Sequence, residues 1–280
     1  AAYPNKLACR DAVETYSWKR LDEVTDDIAA NLVALGIARD ARALVQMASS
    51  AREVLLRIAF KKAGIIGAFV PVQWRRREIE YVVERIAPAL AILATDAFAA
   101  EEMDAIDALF AVAPGLAHRI DLGARPRRDW RPWDDLVEGG ASPGISDRAF
   151  AYNEVSLITV SSGTSGIAKL CQWPEAAQIC VGKGIGERLR VTAEDNIGVF
   201  APMSGAAGVL AWTVSASVPA AYTFPATFSP DALLELVGEV GITIITTVPV
   251  ILARLAAEPL DRYDLSGLRA LRVGTAAADM

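Results

Sequence analysis

The 280 residues are 53% hydrophobic and 22% charged, with a formal net charge of −6. This allows a large buried core in one domain or two packed subdomains, and argues against generic nucleic-acid binding, which needs surplus Lys and Arg. Cys9, Cys171 and Cys180 have neither disulfide nor metal spacing, Ala1–Lys6 holds no apolar signal segment, and no run of 18 apolar residues occurs, so a cytoplasmic protein without a membrane span is expected.

From the N-terminus, Tyr16-Ser17-Trp18 leads into Leu21, Val24, Ile28, Leu32 and Leu35, whose spacing predicts an amphipathic helix capped by Gly36. Ala43–Met47, Ile65–Pro71 and Leu90–Leu93 read as buried strands, separated by helices at Val54–Ala63 and Arg76–Arg85. Strands alternating with helices predict a parallel α/β sheet. After a helical signal at Met103–Val112, residues 96–150 become rich in Pro and Gly and are expected to be a surface excursion. Val155–Val160 resumes the pattern as a strand, with a helix expected at Glu175–Arg190. Further strands are expected at Asn196–Pro202, Val218–Phe224, Ile242–Val248 and Leu268–Val273, with helices from Ser229-Pro230 to Gly238 and after Pro249 to Ala257. The expected organisation is two packed α/β subdomains with parallel-rich sheets flanked by helices, 1–150 and 151–280.

Between Val160 and Lys169 lie Ser161, Ser162, Gly163, Thr164, Ser165 and Gly166, six small residues of which four carry hydroxyls. Such residues cannot fill a core. They let backbone N–H groups approach an anion, and the hydroxyls add donors. Lys169 adds a positive charge three residues beyond Gly166, completing the logic of a triphosphate cradle. A Walker A loop needs Lys directly after Gly and a following Ser or Thr. Here Ile167 and Ala168 intervene and Leu170 follows, so that reading fails on spacing.

Ser161–Lys169 resembles the [ST]-[ST]-G-[ST]-[ST]-G-x-x-K loop of the adenylate-forming superfamily of acyl- and aryl-CoA synthetases, aryl-acid AMP ligases, luciferases and peptide-synthetase adenylation domains. Tyr16–Leu21, Gly67–Arg75, Ala201-Pro202-Met203 with Gly208, Ile242–Pro249, Leu265–Arg269 and Val273–Ala277 are similar to other segments of that superfamily, in order along the chain. The resemblance implies ATP-dependent activation of a carboxylic acid to acyl-AMP with release of pyrophosphate, followed by transfer to a thiol of coenzyme A or phosphopantetheine. It implies that Ser161–Gly166 and Lys169 hold the β- and γ-phosphates, with Lys169 also the catalytic cation, and that Mg²⁺ shares that load; no metal-ligating residues are assigned. It places Gly274, Thr275, Ala276 and Ala277 beside the acyl pocket and adenine.

Ser204-Gly205 stands where the superfamily has an aromatic–His pair near the carboxylate, which opens room for a bulkier acid or weakens catalysis. Trp212 is a candidate for the acyl pocket or for the core. The superfamily's later motifs and its lysine-bearing C-terminal domain have no counterpart before Met280. The chain is therefore expected to be a truncated fragment with little adenylation by itself. A non-catalytic nucleotide-binding module on the same fold is one alternative. A nicotinamide-dependent oxidoreductase built on Gly182-Lys183-Gly184-Ile185-Gly186 is another, although its third glycine is misplaced and the segment reads as a soft spot in a surface helix. His118, the sole histidine, is expected in an exposed loop. Arg75–Arg77 and the arginines of 125–133 are expected to serve local packing, with the 3′-phosphate of coenzyme A as another candidate partner.

Overall fold

The computed structural model describes residues 3–138, 144–161 and 168–274. Strands β1 (Leu7–Arg10) and β2 (Thr15–Ser17) precede α1 (Trp18–Ala34). Then β3 (Arg42–Gln46), α2 (Ala51–Ala63), β4 (Ile66–Val70), α3 (Arg76–Ile86) and β5 (Leu90–Leu93) alternate as the hydrophobic periods predict. They are followed by α4 (Ala100–Val112), β6 (His118–Asp121), β7 (Arg131–Pro132), α5 (Asp134–Val137), β8 (Val155–Val160), β9 (Leu170–Pro174) and α6 (Glu175–Leu189). The remainder is β10 (Asn196–Phe200), α7 (Ala206–Trp212), β11 (Ala221–Thr223), α8 (Pro230–Glu239), β12 (Ile244–Thr247), α9 (Pro249–Ala256) and β13 (Ala270–Val273).

Contacts divide the chain into two compact units. One comprises Glu23–Ala48 and Leu55–Glu175, the other Ala1–Asp22, Ser49–Val54 and Ala176–Met280. Where the sequence suggests a break near residue 150, the contacts divide at Glu175/Ala176, and the N-terminal hairpin joins the later elements.

The first unit carries a sheet of order β7-β6-β5-β3-β4-β8-β9, parallel except for the β8–β9 pair. All of β5, and all but the first residue of β3 and β4, are buried, as befits parallel strands covered on both faces. Leu44, Ala68, Val82, Ile106 and Phe110 lie in its core. The second unit carries a sheet of order β13-β12-β10-β11-β1-β2, parallel except for β1–β2. On one of its faces Phe200 and Ile245 pack with Leu233 and Val237 of α8 and Leu255 of α9.

Several expectations need correction. Residues 96–150 are not a surface excursion throughout. Here β6 adds to the sheet beside β5, with Ile92 opposite Ile120, and α4 buries Met103, Ile106 and Phe110. Trp130 is buried against Phe110, ring centroids 5.9 Å apart. The signal was weak because β6 is polar at three of four positions, and its buried Asp121 acts as a loop anchor. That carboxylate accepts from Thr95 Oγ1 at 2.6 Å and from the N–H groups of Gly123 and Arg127. His118 accordingly sits half-buried in β6, not in an exposed loop. Burial, and secondarily Arg131, hold its pKa below the usual histidine value.

Gly182 is not a surface soft spot. A Cβ there would meet Thr213 O at 2.0 Å, so α6 approaches that backbone as only glycine allows. Tyr16 and Ser17 belong to β2 and not to the start of α1. Ser229 has an extended N-cap backbone before Pro230, but its hydroxyl makes no cap bond.

Candidate functional site

Ser161 and Lys169 face each other at the open end of a β-hairpin. Strand β8 brings the chain to it through four consecutive buried residues, and β9 returns antiparallel, with Val160 opposite Leu170 and Thr159 opposite Cys171. The sequence suggested a loop leading directly towards a helix. A strand intervenes instead, so no helix N-terminus follows the loop directly, and the Walker comparison fails on structure as well as spacing.

The hairpin is fixed at both ends. At its neck the Ser161 N–H donates to Lys169 O at 2.9 Å, and the Lys169 N–H donates to Ser161 Oγ at 2.9 Å. Tyr81 of α3 donates its hydroxyl to Ala168 O at 2.8 Å, and its ring lies 3.6 Å from the Arg85 guanidinium. At the base, Glu175 accepts from Ser156 Oγ and from Lys61 Nζ, and its N–H donates to Glu154 O at 3.0 Å. Lys169 is exposed at the neck. Ser162, Gly163, Thr164, Ser165 and Gly166 lie outside the described residues. Nothing in the sequence singled out Tyr81, because one tyrosine on a helix carries no local sign of a partner 87 positions away.

The remaining candidates belong to the six-stranded sheet. Gly274 follows β13, its N–H 3.3 Å from Thr247 O, while Thr275, Ala276 and Ala277 lie outside the described residues. Ser204 is buried, and Gly205 is the N-cap of α7 with its N–H donating to Pro202 O at 3.2 Å. A Cβ on Gly208 would lie 2.5 Å from Pro202 O and 2.7 Å from the Met203 backbone, so this turn closes on itself as only glycine permits. Trp212 is 8% exposed and packs edge-on against Tyr222, centroids 4.9 Å apart, which places it within this unit's core.

Two arginines near β13 have opposite surroundings. Arg269 forks onto Asp195 through Nε at 2.8 Å and Nη2 at 2.6 Å. Burial by itself raises the Asp195 carboxyl, but hydrogen bonds from Arg269, Thr243 and the Thr192 N–H outweigh it and hold it at about 2. Arg272 is half-buried, and its Nη1 donates to neutral acceptors, Thr246 Oγ1 at 2.9 Å and Ala207 O at 3.1 Å. Sequence reasoning passed over Arg272. The available signal was a charge inside the otherwise apolar run Ala270-Leu271-Arg272-Val273.

The arginines considered for coenzyme A largely meet local carboxylates: Arg75 meets Glu102, Arg76 meets Glu80, Arg127 meets Asp104 and Asp107, and Arg131 meets Asp135. Among the described residues no group of three or more His, Cys, Asp or Glu side chains could hold a metal ion, and no helix is long and apolar enough to cross a membrane. Cys9, Cys171 and Cys180 are free thiols.

A family model described as AMP-binding enzyme matches residues 1–279. The 2-hydroxy-7-methoxy-5-methyl-1-naphthoate–CoA ligase of Streptomyces carzinostaticus is 25% identical over 290 residues, spanning 97% of this chain and 50% of that protein. The anthranilate CoA ligase AuaEII, solved in complex with anthranoyl-AMP, superposes with a TM-score of 0.89 at 18% identity, over 99% of this chain and 53% of that one. Apo MbtA of Mycobacterium smegmatis gives 0.86 at 22% identity, over 98% and 50%. These likenesses to solved structures concern the fold. The chain spans half or less of the curated relatives it matches, 27%, 50% and 28% of three.

Proposed function

The chain belongs to the AMP-binding enzyme family, and from that membership we propose that it serves ATP-dependent activation of a carboxylic acid. In that reaction a carboxylate oxygen attacks the α-phosphorus of ATP. The bond from that phosphorus to the oxygen bridging to the β-phosphate breaks, leaving acyl-AMP and pyrophosphate. A thiol of coenzyme A or phosphopantetheine then displaces AMP, giving the thioester. Mg²⁺ would arrive with the triphosphate, since the described residues offer no cluster to hold it, and no step here depends on it.

The observation that carries this reading is the hairpin with the Ser/Thr/Gly segment at its tip. The mutual bonds of Ser161 and Lys169, with Tyr81 on Ala168, fix where the segment leaves and rejoins the sheet. A positioned loop loses less conformational entropy when its N–H groups close on an anion. Lys169, exposed at the neck, would neutralise charge on the β- and γ-phosphates, which grows on the leaving pyrophosphate. Ser161 would act chiefly by closing the neck, since its Oγ already accepts the Lys169 N–H. Ser162–Gly166 would supply the remaining donors, Gly274–Ala277 the wall beside adenine and the acyl group, and Ser204-Gly205 an open gate to the acid.

Fluorescent-ATP binding to this chain tests the reading. Lys169→Ala should weaken binding by roughly 10- to 100-fold, the equivalent of a charge-assisted hydrogen bond of about 1.5–3 kcal/mol. Gly163→Leu should abolish it. Unchanged affinity in both variants would sink the assignment. ATP binding without acid-dependent ATP–pyrophosphate exchange would favour a nucleotide-binding module without catalysis, the reading that the missing aromatic–His pair supports.

A further inference from the structure

We propose that Arg272 reads an anionic group of the acid, and that the acid this protein takes is a dicarboxylate, bound by one carboxylate at the carboxyl end of β13 while the other reacts. This rests on the acid-activating reading above.

Three observations lead there. Arg272 interrupts an apolar strand and lies in register with Thr246 of β12. Its Nη1 is satisfied by Thr246 Oγ1 and Ala207 O, both uncharged. Burial pushes its pKa down, and among the described residues no carboxylate opposes that effect. Among the described residues this guanidinium lacks the counter-charge that Arg269, three residues earlier, obtains from Asp195. Finally, a Cβ placed on Gly274 would lie 3.9 Å from Arg272 Nη2, its one neighbour within 4 Å among the described residues. That nitrogen therefore reaches towards the end of β13. Open parallel sheets take their ligands at the carboxyl ends of their strands. Nearby, α7 (Ala206–Trp212) follows its N-cap Gly205, and among the described residues a Cβ on Gly205 would meet only Pro202 O, at 3.6 Å.

The charge could in principle meet the reacting carboxylate. That group loses its charge once it becomes the acyl-adenylate, which would strand the guanidinium again. A second carboxylate stays ionised throughout and keeps the fork paired from binding to release.

Calorimetric titration of this chain with matched acids, benzoate against terephthalate and butyrate against succinate, decides the matter, with and without a non-hydrolysable ATP analogue. The wild type should bind at least one dicarboxylate ten-fold or more tighter than its monocarboxylate partner. Arg272→Met should bring that ratio to near one. Arg272→Lys, which keeps the charge and loses the fork, should restore it in part. Equal affinity within both pairs, no binding of any of the four acids, or a preference that survives in Arg272→Met overturns the proposal. Should Arg272→Met not fold, the wild-type ratio and the lysine variant still decide. Titration of the ATP analogue alone on the same wild-type sample reports separately on the phosphate loop, so either idea can fail without the other.

Discussion

Each sheet ends in one antiparallel hairpin, and the two differ in what their connecting residues offer. In β1–β2 the turn Asp11–Glu14 satisfies itself. The Asp11 N–H donates to Glu14 O, Asp11 Oδ1 accepts the N–H groups of Val13 and Glu14, and Asp11 Oδ2 accepts that of Ala51. In β8–β9 the bonds among the described residues reach the neck, where Ser161 meets Lys169, and the sequence between them holds Ser162-Gly163-Thr164-Ser165-Gly166-Ile167. A short acidic turn uses its side chain on its own backbone. A longer segment of glycines and hydroxyls is suited to giving its donors to something else. The same edge position can therefore close a sheet or present a ligand site, and side-chain chemistry decides which.

The largest stability effect should come from the self-satisfied hairpin. Asp11→Ala removes the acceptor of three N–H groups and should cost about 3 kcal/mol by urea denaturation, while ATP affinity stays within two-fold. A large loss of ATP binding would erase the distinction between the hairpins.

Acid titration sets the scale for a charge committed to structure. Asp195 is held at about 2, against roughly 4 when unfolded, so its contribution is complete above about pH 4 and lost as pH falls to about 2. That amounts to roughly 2 kcal/mol, and Asp195→Asn should flatten this part of the stability curve between pH 4 and 2. An unaltered curve would show that the Arg269 fork contributes little.

The smallest effect sharpens the comparison most. Tyr81→Phe deletes one hydroxyl at the neck of the β8–β9 hairpin and, if the proposed phosphate site is right, should weaken ATP binding about five-fold, near 1 kcal/mol, with a smaller change in Tm. A change in Tm alone would make Tyr81 a packing residue.

Much of this was legible in the sequence because burial is periodic. Leu90–Leu93 and Val155–Val160 coincide with the expected strands, and α3 and α6 lie within one residue of their expected spans. The Ser/Thr/Gly run with Lys169, which we propose holds phosphates, also stood out, since its residues are contiguous. What escaped was short or charged. His118–Asp121 carries one apolar residue, Leu7–Arg10 has four residues, and Leu170–Pro174 alternates too weakly to separate from the loop before it.

The sequence by itself determined that strands and helices alternate, where most of them lie, and that a hydroxyl- and glycine-rich loop with a lysine follows one of the strands. Those are local properties, set by which residues within a few positions prefer burial or a particular backbone. The tertiary structure decided that this loop caps a hairpin, that Tyr81 holds its neck, and that Arg269 meets Asp195 while Arg272 meets no carboxylate among the described residues. Such pairings join positions 74 to 87 residues apart, and they exist only once the sheets have brought those positions together.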